Sequence, residues 1–245
     1  MSADYKPELP DREFEPDDEF LRICLTTDIS DPGDFMSFLA SLYGRELRPE
    51  HVSHFVNKIL AGESGAVARF WDVKETLLRL RELGFKLGVI SNAWAFPVEH
   101  IFEKMGLGRY FDAAIFSYKV GYRKPDPEIY YAAMKEFDVT DPSKCFMVGD
   151  NVEADVRAAV RVGMGAALID RPREIHEEAI ADLPGVLHLT NLLELVAYFE
   201  DRIARGLPVP EVIYFDLWKT LVTSHCKEPV WNVQRLLGHN PSKIR

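Results

Sequence analysis

The sequence predicts an α/β protein: a parallel sheet with helices on both faces, joined to a small all-helical module. Three observations lead there. From Trp71 onward, short apolar runs alternate with amphipathic stretches and are punctuated by Gly, Pro and Asp. Between residues 20 and 70 the apolar positions instead fall at helical spacing, with no strand-like run among them. Near the end, Val212-Ile213-Tyr214-Phe215 is wholly apolar, the texture of a strand buried on both faces inside a parallel sheet. A chain of 245 residues, 47% of them hydrophobic, suffices for one large domain or a core with an accessory domain.

Taken in order, residues 1–19 hold eight acids against two bases, with prolines at 7, 10 and 16, and read as a solvated acidic lead-in. Residues 20–70 form the helical module, broken at Asp31-Pro32-Gly33 and Arg48-Pro49-Glu50. Phe35, Phe38, Leu39 and Leu42 share one helical face, as do Val52, Phe55, Val56 and Ile59. His51 and His54 lie three apart on the second helix and read as a solvent-facing pair. At Trp71 the α/β texture begins, with Asp72 as N-cap of a helix that Gly84 ends. The strands that follow are 86–90, 113–116, 145–148, 165–169 and a short one near 186–189. Helices run from about Pro97, from Asp126-Pro127, over 152–162 and over 192–204. The linker 207–210 feeds strand 211–216, and the α/β core spans 71–222. Residues 223–245 read as a flap and tail, with an amphipathic helix at 229–237 that completes the helical module.

A formal charge of −10 argues against nucleic-acid or anionic-membrane partners, so an anionic substrate needs a local positive site. No apolar run reaches the ~18 residues of a membrane span. The acidic start is no signal peptide. Three cysteines, Cys24, Cys145 and Cys226, have no metal-type spacing and suit a reducing cytoplasm.

The chemistry-bearing residues fall at strand ends and in one loop: Asp216 after 212–215, Ser91-Asn92 after 86–90, Asp150 after 145–148 with Asp155 beyond it, and Lys124 before Pro125. Singly, each has an ordinary explanation as strand terminator, helix cap, solvated loop lysine or exposed helix acid. Together, at the carboxyl edge of one parallel sheet, they gather carboxylates beside a hydroxyl and a lysine. Carboxylates packed so closely repel unless a cation lies among them, and an oxygen-only donor set suits Mg²⁺. A hydroxyl, a lysine and helix N-termini opposite that ion make a phosphate cradle.

The stretches VIYFDLWKTLV, GVISNA, FSYKVGYRKPDPEIY and FMVGDNVEADVRAA resemble the four motifs of the haloacid dehalogenase superfamily, with the helical module standing for its helical cap. The resemblance implies a Rossmann-like core and Asp216 as the nucleophile. It implies Ser91, Asn92, Lys124 and Thr220 as residues on the phosphoryl group. Lys124 would also hold Asp216 ionised. Mg²⁺ would be held by Asp216, the backbone carbonyl of Trp218, Asp150 and Asp155.

Two departures accompany it. Members of that superfamily begin with the nucleophile strand, whereas here it follows the other three motifs. The order fits a circular permutant, its ends opened within the cap, or a fragment of a tandem array; the single occurrence of each part favours the permutant. Second, its phosphatases carry an Asp two residues after the nucleophile as general acid and base, and this chain has Trp218, which cannot shuttle a proton. The expected activity is Mg²⁺-dependent hydrolysis of a small phosphorylated molecule, by a monomer or homodimer. The alternatives are a metal-independent 2-haloacid dehalogenase and a phospho-ligand-binding protein with a weakened site.

Overall fold

A computed structural model describes residues 18–42, 46–49, 51–54, 56–57, 67–171 and 177–224. The expected helix at 229–237, most of the acidic lead-in, and Phe55, Ile59, Cys226 and His225 lie outside the described residues.

The core is a six-stranded sheet of β2 (Lys86–Ser91), β3 (Ala113–Phe116), β4 (Cys145–Gly149), β5 (Gly165–Ile169), β6 (Leu187–Leu189) and β7 (Val212–Phe215). Its order is β3-β2-β7-β4-β5-β6 and every pairing is parallel. The strand that comes last in sequence among these six is therefore an inner one. β7 pairs Val89 with Phe215 on one side and Val148 with Phe215 on the other, so three strands end at nearly one level.

Alternation along β7 explains why helices cover both faces. Ile213 and Phe215 enter one apolar cluster together with Leu87, Val89, Phe146 and Val148. That cluster also takes Val73, Leu77 and Leu80 of α3 (Val73–Glu82) and Leu195, Val196 and Phe199 of α8 (Leu193–Ala204). Val212 and Tyr214 point the other way, into a cluster with Ile129, Tyr130, Ala133 and Met134 of α6 (Pro127–Glu136) and with Ala158 and Ala159 of α7 (Ala158–Val162). All four side chains of β7 are fully buried; at 1.5–3 kcal/mol for each large apolar side chain, that is roughly 6–12 kcal/mol of gross burial on one strand. Gly88 of β2 is glycine for a packing reason, because a Cβ there would sit 2.6 Å from the Tyr214 ring.

The N-terminal region begins with α1 (Asp18–Thr26) and α2 (Pro32–Leu42), and residues 51–54 and 56–57 are helical. Asp31 caps α2, accepting from the Gly33 and Asp34 amides at 2.8 and 2.9 Å. Phe35 of α2 packs against Trp94 and Phe96 at the start of α4 (Ala95–Lys104), with ring centroids 5.7 and 6.3 Å apart. α1 lies against α5 (Ser117–Val120) and pairs Asp18 with Arg123 at 2.5 Å.

The structure corrects several sequence expectations. Asp18 and Glu19 belong to the first turn of α1, not to the lead-in. The stretch 20–70 does contain a strand, β1 (Val67–Arg69), which pairs antiparallel with β8 (Val222–Ser224) in a two-stranded ribbon. Three residues are too few to display a period of two. Asp72 stands at the N-cap position of α3, but its carboxylate makes no capping bond; it accepts from the Leu192 amide and from Arg171 instead. Asp126 likewise precedes α6 without a side-chain cap. α4 begins at Ala95, ahead of Pro97. The stretch 152–162 is helical throughout, but its first part, Val152–Arg157, is a π-helical turn leading into α7.

Candidate active site

Parallel pairing carries three chain ends to one edge: Ser91 closes β2, Gly149 closes β4, and Asp216 follows β7. The Asp216 amide still donates to Val148 O at 2.8 Å, so its backbone is fixed by the sheet. Asp150, Asp155 and Asp216 each offer an oxygen, all within 4.8 Å of one another.

Lys124 enters from the loop between α5 and α6. Its ammonium donates to Asp216 Oδ1 at 2.5 Å and to Asp155 Oδ1 at 2.6 Å, with all three side chains buried. The approach is set by Asn92, whose side chain accepts from the Lys124 amide at 2.7 Å and donates to the Lys124 carbonyl at 2.8 Å. The sequence placed Asn92 on the substrate; both ends of its amide hold the lysine loop.

Asp155 reaches the cluster because of two local features. Asn151 caps the π-helical turn, accepting from the Glu153 and Ala154 amides at 3.0 and 2.8 Å, while its own amide donates to Asp155 Oδ2 at 3.0 Å. Tyr130 donates its hydroxyl to Ala154 O on the same turn. The second feature is Gly149: a Cβ on it would meet Asp155 Cγ and Oδ2 at 2.2 Å. π-Helical turns recur at functional sites because they re-aim a side chain without ending the helix. The expectation that Asp155 joins Asp150 and Asp216 holds geometrically, and the reading of it as an exposed helix acid does not.

The charges do not balance. Lys124 is held above the ordinary lysine range: burial alone would lower it, but Asp155 and Asp216 more than offset that. Lys124 serves two of the three carboxylates and Lys219 stands only at the edge of the third, and two of the acids are shifted. Asp216 is pushed up, first by burial, with Lys124 opposing and Asp155 and Asp150 adding to the rise. Asp150 is pushed up to about 6 by burial and by the Asp155 charge, partly relieved by Lys219 and Lys124. An oxygen-only acidic cluster with surplus negative charge fits a hard divalent cation. Ser91 supports the rest of the cradle: its Oγ is wholly buried and has no hydrogen-bond partner among the described residues. Thr220 Oγ1, in the turn after Asp216, is likewise buried and has none among the described residues.

Trp218 and Lys219 form the turn after Asp216. Lys219 adopts φ +57, a left-handed conformation uncommon for lysine, and its ammonium lies 3.9 Å from Asp150 Oδ2. No local pattern announces that contact, nor the pair of Arg171 and Asp72, of which Arg171 donates to the Thr220 carbonyl in the turn. Glu153, between Asp150 and Asp155 in sequence, faces away from the cluster: it pairs with Arg157 at 2.9 Å and Arg161 at 3.8 Å and is 66% exposed.

The site is thus a lysine-linked carboxylate cluster at the carboxyl edge of a parallel α/β sheet. A family model for haloacid dehalogenase-like hydrolases matches residues 33–163, more than half of the chain, and the protein belongs to that family. Strand β7 and Asp216 lie beyond the matched span. Over 100 residues the chain is 35% identical to a glyceraldehyde 3-phosphate phosphatase of Methanopyrus kandleri, covering 41% of this chain and 42% of that one. Over 143 residues it is 34% identical to haloacid dehalogenase-like hydrolase domain-containing protein 3 of Bos taurus, covering 55% and 56%. The chain thus spans about half the length of the curated relatives it matches. Among solved structures, a HAD phosphatase from Thermococcus onnurineus aligns with TM-score 0.53 and 26% identity, over 69% of this chain and 73% of that one. A 2-haloacid dehalogenase from Pseudomonas syringae aligns with TM-score 0.57 over 77% and 76%, but at 24% identity it speaks for the fold alone.

Proposed function

We propose that the protein is a Mg²⁺-dependent phosphatase of small phosphorylated molecules, working through an aspartyl phosphate on Asp216. The observation that carries the reading is the Lys124 ammonium bridging Asp216 and Asp155 inside a cluster that also holds Asp150. Asp216 attacks phosphorus, the ester oxygen leaves, and water then cleaves the aspartyl phosphate, which divides one hard displacement into two easier ones. Lys124 keeps Asp216 ionised and offsets charge on the phosphoryl oxygens, and Ser91 donates to one of them. Asp216, Asp150, Asp155 and the Trp218 carbonyl would hold Mg²⁺, which when bound shields the carboxylate from its anionic target. The phosphatase names of relatives such as the Methanopyrus kandleri protein support the reaction class. The three-carboxylate cluster weighs against a metal-free dehalogenase, for which surplus negative charge beside the nucleophile serves nothing.

We also infer that the motif order is a circular permutation, because β7 completes the sheet between β2 and β4 of its own chain. Two buried free cysteines, Cys24 and Cys145, suit a reducing cytoplasm, and the expected form is a monomer or homodimer. Among the described residues no helix is long and apolar enough to cross a membrane.

The test is hydrolysis of an aryl phosphate and of 2-chloropropionate, with Mg²⁺ and with EDTA. Phosphate release with Mg²⁺ alone, abolished in Asp216→Asn, is the expected result. Chloride release in EDTA would replace this reading with the dehalogenase. Folded protein inert to both would leave a binding role.

A further inference from the structure

Behind the nucleophile turn lies a second polar group that the proposed reaction does not use. Arg171 follows Asp170 at the carboxyl end of β5 and points back under the turn. Its guanidinium donates to Asp72 Oδ2 at 2.9 Å and to the Thr220 carbonyl at 2.8 Å, and its plane lies 3.8 Å from the Phe70 ring centroid. Asp72 is fully buried and also accepts from the Leu192 amide at 2.7 Å.

These contacts meet where the two ribbon strands leave the core. Phe70 follows β1, and Thr220 precedes β8 by two residues. Between them the Phe70 amide donates to Leu221 O at 3.1 Å, extending the ribbon to its base. Within the turn, Leu217 O accepts from the Leu221 and Val222 amides at 3.0 Å each, and Val222 O accepts from Lys219 at 2.7 Å, while Leu217 and Leu221 are buried in the core. Arg171 adds a hydrogen-bonded tie from this turn to the end of β5, to Asp72 at the start of α3 and, through Asp72, to the start of α8.

We propose that Arg171 is a positioning residue: by gripping Thr220 O and stacking on Phe70, it holds the turn that carries Trp218, and the ribbon base, against the core. A planar fork with two parallel donors and a stacking face does this; a lysine ammonium, a point charge on a flexible stem, cannot hold all three partners together. Its kinetic consequence rests on the phosphatase reading above, but the structural one does not.

Arg171→Lys keeps a cation for buried Asp72 and loses the fork. Hydrogen exchange should then quicken at least tenfold for the amides of Lys219, Leu221, Val222 and Phe70, while the Cys145–Gly149 amides of β4 keep their protection. With aryl phosphate, kcat should fall at least tenfold with KM within threefold, as expected when a turn is misplaced and substrate contacts remain. If Arg171→Lys loses protection in β4 as well, Asp72→Asn with Arg171→Met removes both charges together and is read in the same way. Native exchange in the turn, in whichever variant folds, overturns the proposal even if activity falls. Wild-type protein without phosphatase activity would overturn the reaction and leave the exchange result standing.

Discussion

Gly149→Ala is the sharpest test of how the site is built. Only one methyl group is added, at the end of a buried strand, but it would lie 2.2 Å from Asp155 Cγ and 2.4 Å from Asp155 Cβ. A rotation of the carboxylate cannot relieve the second contact, so the whole side chain must withdraw. Withdrawal breaks the bonds from Lys124 at 2.6 Å and from the Asn151 amide at 3.0 Å. Loss of a charged hydrogen bond is worth ~1.5–3 kcal/mol and overpacking of a tight core ~1–3 kcal/mol. The variant should therefore lose about 4 kcal/mol, or roughly 8–16 °C in Tm for a protein of this size. Turnover should fall about 10²-fold or more, because a misplacement of ~1 Å near the reacting atoms costs that much. Thermal and urea unfolding of the metal-free protein measure the first number and phosphate release the second. A double-mutant cycle isolates the cause: in an Asp155→Gly background, where the Cβ is gone as well as the carboxylate, the same glycine change should cost little. An equal loss in both backgrounds, or a Gly149→Ala protein with native stability and turnover, would refute the contact as the reason for the glycine.

Two further outcomes follow from the charge imbalance and from Trp218. Because Asp150 is raised from 3.8 to about 6, the folded protein holds that proton to higher pH than the unfolded chain does. The Asp150 contribution to metal-free stability should thus be greatest near pH 4 and be lost, by roughly 3 kcal/mol, as pH climbs through about 6. It is read as the difference between wild type and Asp150→Asn in EDTA from pH 4 to 8, and should vanish in saturating Mg²⁺; a difference that rises in favour of wild type with pH would contradict the sign. Without a proton donor at Trp218, alkyl phosphates should be turned over 10²–10⁴-fold more slowly than aryl or acyl phosphates, a barrier difference of roughly 3–5 kcal/mol. Trp218→Asp should recover much of the alkyl rate, whereas equal rates on both substrate types in the unaltered protein would show that another group supplies the proton; Glu153, paired with Arg157 and Arg161, is not placed to do so.

What the sequence disclosed was whatever one segment carries by itself. Val212–Phe215 advertises a doubly buried strand because it must satisfy clusters on both faces, and the acids after it and after Val148 are visible as strand-end charges. The long helices are legible for the same reason. Contacts between distant segments left no local trace. Arg171 and Asp72 are 99 residues apart, and nothing near Asp72 distinguishes a helix cap from an arginine partner. Lys219 reads as an ordinary turn residue until folding brings Asp150 beside it. The ribbon escaped notice because each strand has three residues and takes its identity from its partner. Asp155 taken singly reads as readily as an exposed helix acid, because no local spacing announces the π-helical turn on which it is buried.

The position of β7 has a consequence for how the protein is made. β2 pairs only with β3 and β7, and β4 only with β5 and β7, so β7 is the sole hydrogen-bonded link between a two-stranded and a three-stranded half-sheet. β4 is complete at Gly149, whereas β7 begins at Val212. At ~5–20 residues per second of synthesis, the nascent chain passes several seconds with two apolar inner edges unpaired. Such edges are templates for pairing with other chains. β7 therefore acts as a keystone whose arrival ends the period of greatest exposure to aggregation. Light scattering from a chain stopped at residue 205, compared with one carried through Ser224, reads that exposure directly.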